Sequence, residues 1–211
     1  MAPEPTKAVG LERLEQRLRQ DLEWLELPAK DWVPERRVDG SRVLDVAIVG
    51  AGMAGLAASW MLKRLGISNH VLLDRSEAGH EGPWITYARM ETLRSPKQLT
   101  GPATGLPALT FRAYYEARFG RAAWDALGKI PRVLWMEYLI WYRRVLDLPV
   151  RNRITVESIR PSRSEMLELT VADSDERTLL ARHVVLATGR DGLGGPVVPQ
   201  FADQIARDNW A

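Results

Sequence analysis

From Val46 to Leu62 the chain carries no charged residue, and three glycines, Gly50, Gly52 and Gly55, stand in the middle of that run. Upstream, Val43 to Val49 is apolar and β-branched except at Asp45, the pattern of a strand buried on both faces. Downstream, a helix is predicted from about Met53 to Leu65, closed by Gly66, where a left-handed cap is expected. His70 to Leu73 gives a second short apolar strand that ends at Asp74. A membrane span is the competing reading. The run falls short of the roughly 20 apolar residues that a bilayer core requires, and glycines interrupt it. A buried strand turning into a buried helix and returning as a parallel strand explains it better, with a right-handed crossover expected. The fold class is therefore α/β, built on a parallel sheet.

The glycine spacing has a chemical reading. Gly50-Ala51-Gly52-Met53-Ala54-Gly55 matches G-x-G-x-x-G at the junction where a strand opens a helix, the context that makes this motif informative. The first glycine permits the tight turn, the second lets the backbone approach a pyrophosphate, and the third lets helix and strand pack closely. Free N–H groups at the helix start, with the positive end of its dipole, attract the phosphate charge. Asp74 stands roughly 20 residues further on, where a carboxylate accepts a ribose hydroxyl. Dinucleotide binding follows, through Gly50, Ala51, Gly52, Met53, Ala54, Gly55 and Asp74. The fingerprint alone leaves FAD and NAD(P) open, because Arg75 next to the acid is suited to a 2′-phosphate.

The rest of the chain narrows the choice. Leucines at 11, 14, 18, 22 and 25 predict an amphipathic helix ended by Pro28, preceded by a disordered stretch over residues 1–10 and followed by a linker over 28–43. Residues 76–108 read mostly as loop, a length that is usually functional inside a compact domain. Two helices are predicted at about Thr110–Leu127 and Val133–Leu146, with Tyr114, Tyr115, Phe119, Trp124, Trp135, Tyr138, Trp141 and Tyr142 read as core packing. Strands are predicted at Ile154–Ile159, Met166–Val171 and Thr178–Ala181 as an antiparallel meander, then at His183–Ala187 as a buried return strand. A plain nicotinamide domain does not continue in this way.

Composition removes several classes. The 211 residues include no cysteine, which excludes disulfides, thiolate metal sites and a dithiol redox relay. Net charge is +2 with basic and acidic residues interleaved, so no stripe for nucleic acid is expected. No metal site, GxSxG elbow or HExxH motif is found. His80 is the one histidine near the candidate site; His70 and His183 begin strands. The N-terminus lacks the layout of a signal peptide, so a cytoplasmic location is expected.

The chain resembles the two-dinucleotide-binding flavoproteins, and within them the flavin-containing and Baeyer–Villiger-type monooxygenases. The resemblance rests on the Gly50–Gly55 fingerprint, Asp74-Arg75, Gly82-Pro83-Trp84 and Val184-Val185-Leu186-Ala187-Thr188-Gly189, and covers roughly residues 41–200. It implies a Rossmann-like FAD-binding domain with a parallel sheet, a long helical crossover and a three-stranded antiparallel meander. It also implies that Gly82 and Trp84 lie beside the flavin, that the backbone at Val156 meets the adenine, and that Thr188 and Gly189 pass near FAD. NADPH or NADH would act as reductant and a small molecule as substrate. Asp74 replaces the more usual Glu, and Pro83 a small residue. No second glycine fingerprint follows Gly189. The expected layout is a tail and helix over 1–40, an FAD-binding domain over 41–200, and the start of a nicotinamide domain over 201–211. The reading is the FAD-binding portion of an NAD(P)H-dependent oxidoreductase. The alternatives are a truncated, non-catalytic dinucleotide-binding module and an NADP-binding dehydrogenase domain. An open sheet edge would favour self-association or a partner chain that completes the fold.

Overall fold

The computed structural model describes residues 5–162, 165–172, 174, 176–189 and 192. The remainder of the expected exit toward Pro199, and segment 201–211, lie outside these residues. In chain order the elements are α1 (Pro5–Trp24), β1 (Arg37–Val38), β2 (Ser41–Arg42), β3 (Leu44–Val49), α2 (Met53–Arg64), β4 (His70–Asp74), α3 (Phe111–Phe119), α4 (Arg121–Ala126), α5 (Arg132–Val145), β5 (Val150–Asn152), β6 (Thr155–Pro161), β7 (Leu167–Ala172) and β8 (Thr178–Leu186). Strands β1 and β2 form a small antiparallel ribbon in the linker.

The main sheet has the order β5-β4-β3-β8-β7-β6. Strands β5, β4, β3 and β8 run parallel, and β8, β7 and β6 run antiparallel. The sequence predicts two strands at 178–181 and 183–187, whereas the structure joins them into β8. Its first half pairs with β7, up to Leu167 opposite Ala181, and its second half pairs with β3, from Leu44 opposite Ala181 to Val49 opposite Leu186. One strand thereby closes the meander and enters the parallel sheet. Leu186, at its far end, is exposed.

Side chains alternate across the sheet as a two-residue period requires. Val46, Ile48 and Leu72 enter a core shared with the helices, while Ala47, Val71 and Leu73 enter a second core covered by Leu169, Val171 and Leu179 of the meander. The charge that interrupts the first strand is paired: Asp45, buried, lies 3.1 Å from the Arg182 guanidinium on the neighbouring β8. On the helical side Phe111, Trp135 and Tyr138 pack ring against ring, with Trp135 and Tyr138 centroids 5.0 Å apart. The Tyr138 and Tyr142 hydroxyls donate to the Leu109 and Pro102 carbonyls at 2.7 and 2.8 Å. Burial pushes both phenols above their ordinary range.

Three local expectations change. Helix α1 begins at Pro5, so residues 5–10 belong to a helix. Docking explains this: a Cβ on Gly10 would lie 1.8 Å from the Ala117 carbonyl oxygen, a close crossing with α3 that only glycine permits. The helix expected over 110–127 is broken at Gly120, whose φ of +85° ends α3 and starts α4. Strand β5, which the sequence reading left out, extends the parallel sheet beside β4.

His70 is 5% exposed and Ser59 0%. The imidazole Nδ1 is 2.7 Å from the Ile67 carbonyl and Nε2 is 2.8 Å from the Ser59 hydroxyl. A neutral ring that donates at Nδ1 and accepts at Nε2 satisfies both bonds. Burial pushes its pKa below the ordinary 6.5, since protonation would place a charge in the core and cost the Ser59 bond. The depressed value means that the unfolded chain takes up the proton first. The contribution is therefore complete above pH 6.5 and lost as pH falls through the lowered value. Melting temperature measured from pH 7.5 down to 5 is expected to fall in that window, and His70→Gln to flatten the fall. Equal slopes for both proteins would refute this assignment.

Candidate functional site

The three glycines of the fingerprint have three different reasons for being glycine. Gly50 has φ +102°, and its N–H donates to the Leu73 carbonyl at 2.8 Å. A Cβ there would lie 2.4 Å from the Ala187 oxygen. Gly55 lies against the turn itself: its Cβ would meet the Gly50 oxygen at 2.0 Å. Both are therefore required by backbone shape and packing. Gly52 is required by neither. Its φ of −67° and ψ of −176° suit any residue, and the nearest atom to an added Cβ is the Gly82 Cα at 3.8 Å. The space above Gly52 is bounded by a second glycine, Gly82, which itself has φ +76°.

Helix α2 opens onto this gap. Gly52 is its N-cap without a side-chain cap, and no acidic residue lies in the first turn. The N–H groups at Met53, Ala54 and Gly55 therefore form a positive helix end suited to an anion. Met53 and Ala54 are exposed there.

Asp74 ends β4 at 8% exposure. Its two oxygens accept from the Ala51 N–H at 2.7 Å and the Ser76 N–H at 2.8 Å. The carboxylate thus holds the glycine turn against the start of the following loop. A carboxylate has about four lone-pair sites, so capacity remains for a hydroxyl donor. Arg75 is exposed beside it. Asp74→Asn would present an amide N–H₂ to one of these two N–H groups and leave it buried without an acceptor. The expected cost is about 1–3 kcal/mol, read as a lower urea midpoint at unchanged m. An unaltered midpoint would refute the bridging role.

The other candidates converge unevenly. The Ala187 N–H donates to Val49 at 2.8 Å, and a Cβ on Gly50 would lie 3.3 Å from the Thr188 nitrogen, so Thr188 passes beside the turn, whereas no contact places Gly189 there. Trp84 is half-buried and edge-on to Trp135 with centroids 6.1 Å apart. Its carbonyl accepts from the Arg132 side chain, and its indole Nε1 is buried without a partner. Trp84 is thus a loop anchor that also borders the gap, since a Cβ on Gly82 would lie 3.9 Å from that nitrogen. The Val156 side chain packs into the second core, which leaves only its backbone for a ligand. The segment before it is tied to the site by the Ile154 N–H donating to the Asp74 carbonyl at 3.0 Å. His80 is exposed and makes no side-chain contact that would assign it a part.

Sequence reasoning missed Glu81. It is 4% exposed and paired with Arg143 at 2.8 Å. A cavity of about 450 Å³ lies beneath it, lined by Ala51, Leu56, Gly79, Met136 and Arg143 among others. Among the described residues no His, Asp and Glu cluster is arranged to hold a metal ion, and no helix is long and apolar enough to cross a membrane.

Over 199 residues the chain is 45% identical to an FAD-dependent urate hydroxylase of Xanthomonas campestris pv. campestris, covering 93% of this chain and 41% of that protein. A flavin-containing monooxygenase from Stenotrophomonas maltophilia matches with a TM-score of 0.52 at 27% identity, over 69% of this chain and 38% of that one. An ornithine hydroxylase from Pseudomonas aeruginosa matches with a TM-score of 0.60 at 22% identity, over 77% and 42% of the two chains, a likeness of fold alone. The chain therefore spans about two fifths of the length of these relatives. Residues 47–191 match the model of the FAD-NAD(P)-binding family. With the fingerprint turn, the helix end and the terminal carboxylate assembled within that span, the chain belongs to the FAD-NAD(P)-binding family.

Proposed function

We propose that this chain is the FAD-binding portion of a cytoplasmic, NAD(P)H-dependent flavoprotein monooxygenase, with residues 41–200 as the FAD domain. The observation that carries the reading is Gly52, a glycine that its own backbone angles do not require, at the uncapped start of α2, where an added Cβ would come only into ordinary contact with the Gly82 Cα at 3.8 Å. A pyrophosphate held at that bare backbone gives the glycine a use.

The residues fit the cofactor. In this proposal the N–H groups at Gly52, Met53, Ala54 and Gly55 hold the pyrophosphate, with Gly50 and Ala51 shaping the turn. Asp74 accepts a ribose hydroxyl on its remaining lone pairs. The backbone at Val156 borders the adenine, and Gly82, Trp84, Thr188 and Gly189 border the flavin half. The unpartnered Trp84 Nε1 supplies a donor on that side. Bound FAD would supply hydride acceptance from NADPH or NADH and the activation of dioxygen. The chain's own part is to bind, orient and shield. The NADP reading suggested by Arg75 has less support, because the adjacent buried carboxylate would repel a 2′-phosphate. Urate, named in the 45% identical relative, is the first substrate to test for the whole enzyme.

The test is the visible spectrum of the purified chain after FAD is added and the excess removed. Retained flavin bands near one per chain support the proposal, and bleaching on NADPH or NADH addition identifies the reductant. A colourless protein that is folded by circular dichroism overturns it.

A further inference from the structure

The loop from Ser76 to Gly82 carries the glycine that stands against Gly52. The cavity of about 450 Å³ borders it, with Ala78, Gly79 and Glu81 among the lining residues. A half-buried polar network ties this loop to its neighbours. Glu81 Oε1 accepts from Arg143 Nη1 at 2.8 Å and from Asn152 Nδ2 at 2.7 Å, and Oε2 accepts from the Gly79 N–H at 2.8 Å. Arg143 Nη1 also donates to Asn152 Oδ1 at 2.9 Å, and Nη2 to the Val150 carbonyl at 3.2 Å. Asn152 Nδ2 reaches the Ser76 carbonyl at 3.1 Å.

These contacts join three elements that border the site. Arg143 comes from α5. Asn152 ends β5 and stands in register with Asp74 across the sheet. Glu81 directly precedes Gly82. Asn152 thus grips the loop at both ends: at Ser76, whose N–H caps Asp74, and at Glu81, next to the wall of the gap.

A buried ion pair is weak evidence for stability, because desolvation offsets much of its attraction and apolar replacements are often neutral. What such a network does supply is a single geometry, provided that every member is satisfied. All four hydrogen-bonding functions of the Glu81 and Asn152 side chains are engaged here.

We propose that Glu81, Arg143 and Asn152 are positioning residues that set the separation of Gly82 from Gly52, and so the affinity for FAD. This rests on the flavin reading given above. The network fixes the position of Gly82 against Gly52, so binding does not have to order the loop.

The test compares wild type with Glu81→Gln and Asn152→Ala. A third variant, Glu137→Gln, breaks the Arg118–Glu137 pair between α3 and α5, a pair outside this network. For each, the dissociation constant for FAD is read from flavin fluorescence, the release rate from dilution, and the melting temperature from the protein without FAD. Glu81→Gln and Asn152→Ala are expected to bind about tenfold more weakly and to release faster, whereas Glu137→Gln keeps the wild-type constant. Asn152→Ala leaves the Glu81–Arg143 pair in place and carries the test if Glu81→Gln does not fold. Wild-type constants in both network variants overturn the proposal, as does a weakening in all three that merely follows lost stability. Wild type that fails to bind FAD overturns the flavin reading itself, and this proposal with it.

Discussion

Gly52→Val is expected to abolish retention of FAD while leaving a folded protein. Gly52 has extended backbone angles open to valine, and a Cβ there meets nothing nearer than 3.8 Å. The γ-methyls reach the Gly82 loop beyond a Cβ already in contact with it, and at the helix start valine is a poorer N-cap than glycine by about 1 kcal/mol. That corresponds to a fall of roughly 2–4 °C in Tm for a chain of this size. The branched side chain instead fills the gap toward Gly82. Overpacking of about 2–3 kcal/mol against a bound pyrophosphate amounts to roughly a 100-fold rise in Kd. Gly52→Ala should lie between the two. Flavin titration followed by thermal melting of the same samples separates the effects. Full retention of FAD by the valine variant would mean that the space is not the cofactor's.

Gly55→Val should do the reverse and destroy the fold before binding can be measured. Its Cβ would overlap the Gly50 carbonyl, at 2.0 Å from the oxygen and 3.0 Å from the carbon, with Leu72 on the other side at 3.5 Å. Those are backbone atoms of the turn, and the turn is itself held by the Gly50 N–H bond to Leu73 and by Asp74 on Ala51. Neither can retreat without separating α2 from the sheet. A cost of at least about 3 kcal/mol is expected, which lowers Tm by roughly 6–12 °C out of a total stability of about 5–15 kcal/mol. Insoluble or molten protein meets the expectation. A variant with wild-type Tm would show that the close approach is not what requires this glycine.

The contrast between these glycines shows how far the sequence could be read. G-x-G-x-x-G after a buried strand identifies the turn and gives each glycine a role in outline. The positive φ of Gly50, the backbone overlap at Gly55 and the ordinary contact at Gly52 then show which of them the fold itself requires. Asp74 was legible as the terminal acid. Its use as a bridge between two backbone N–H groups was not, since that depends on where the Ser76 loop turns.

The strand–glycine–helix–strand unit was determined by the sequence alone, because its signals are local: continuous apolar runs at β3 and β4, an uncharged segment at α2 closed by Gly66, and glycines where the chain must turn. The family resemblance adds two further short segments, Gly82–Trp84 and Val184–Gly189. Tertiary structure decided what those local signals cannot encode. Strand β5 is three residues long and exists because the edge of β4 pairs with it. Helix α1 reaches back to Pro5 beside the close approach of Gly10 to α3. Glu81 meets Arg143 and Asn152 across 62 and 71 residues of chain. A charged residue in a glycine-rich loop has no periodicity that marks it as buried. Its partners become visible only when the sheet brings the end of β5 beside the end of β4.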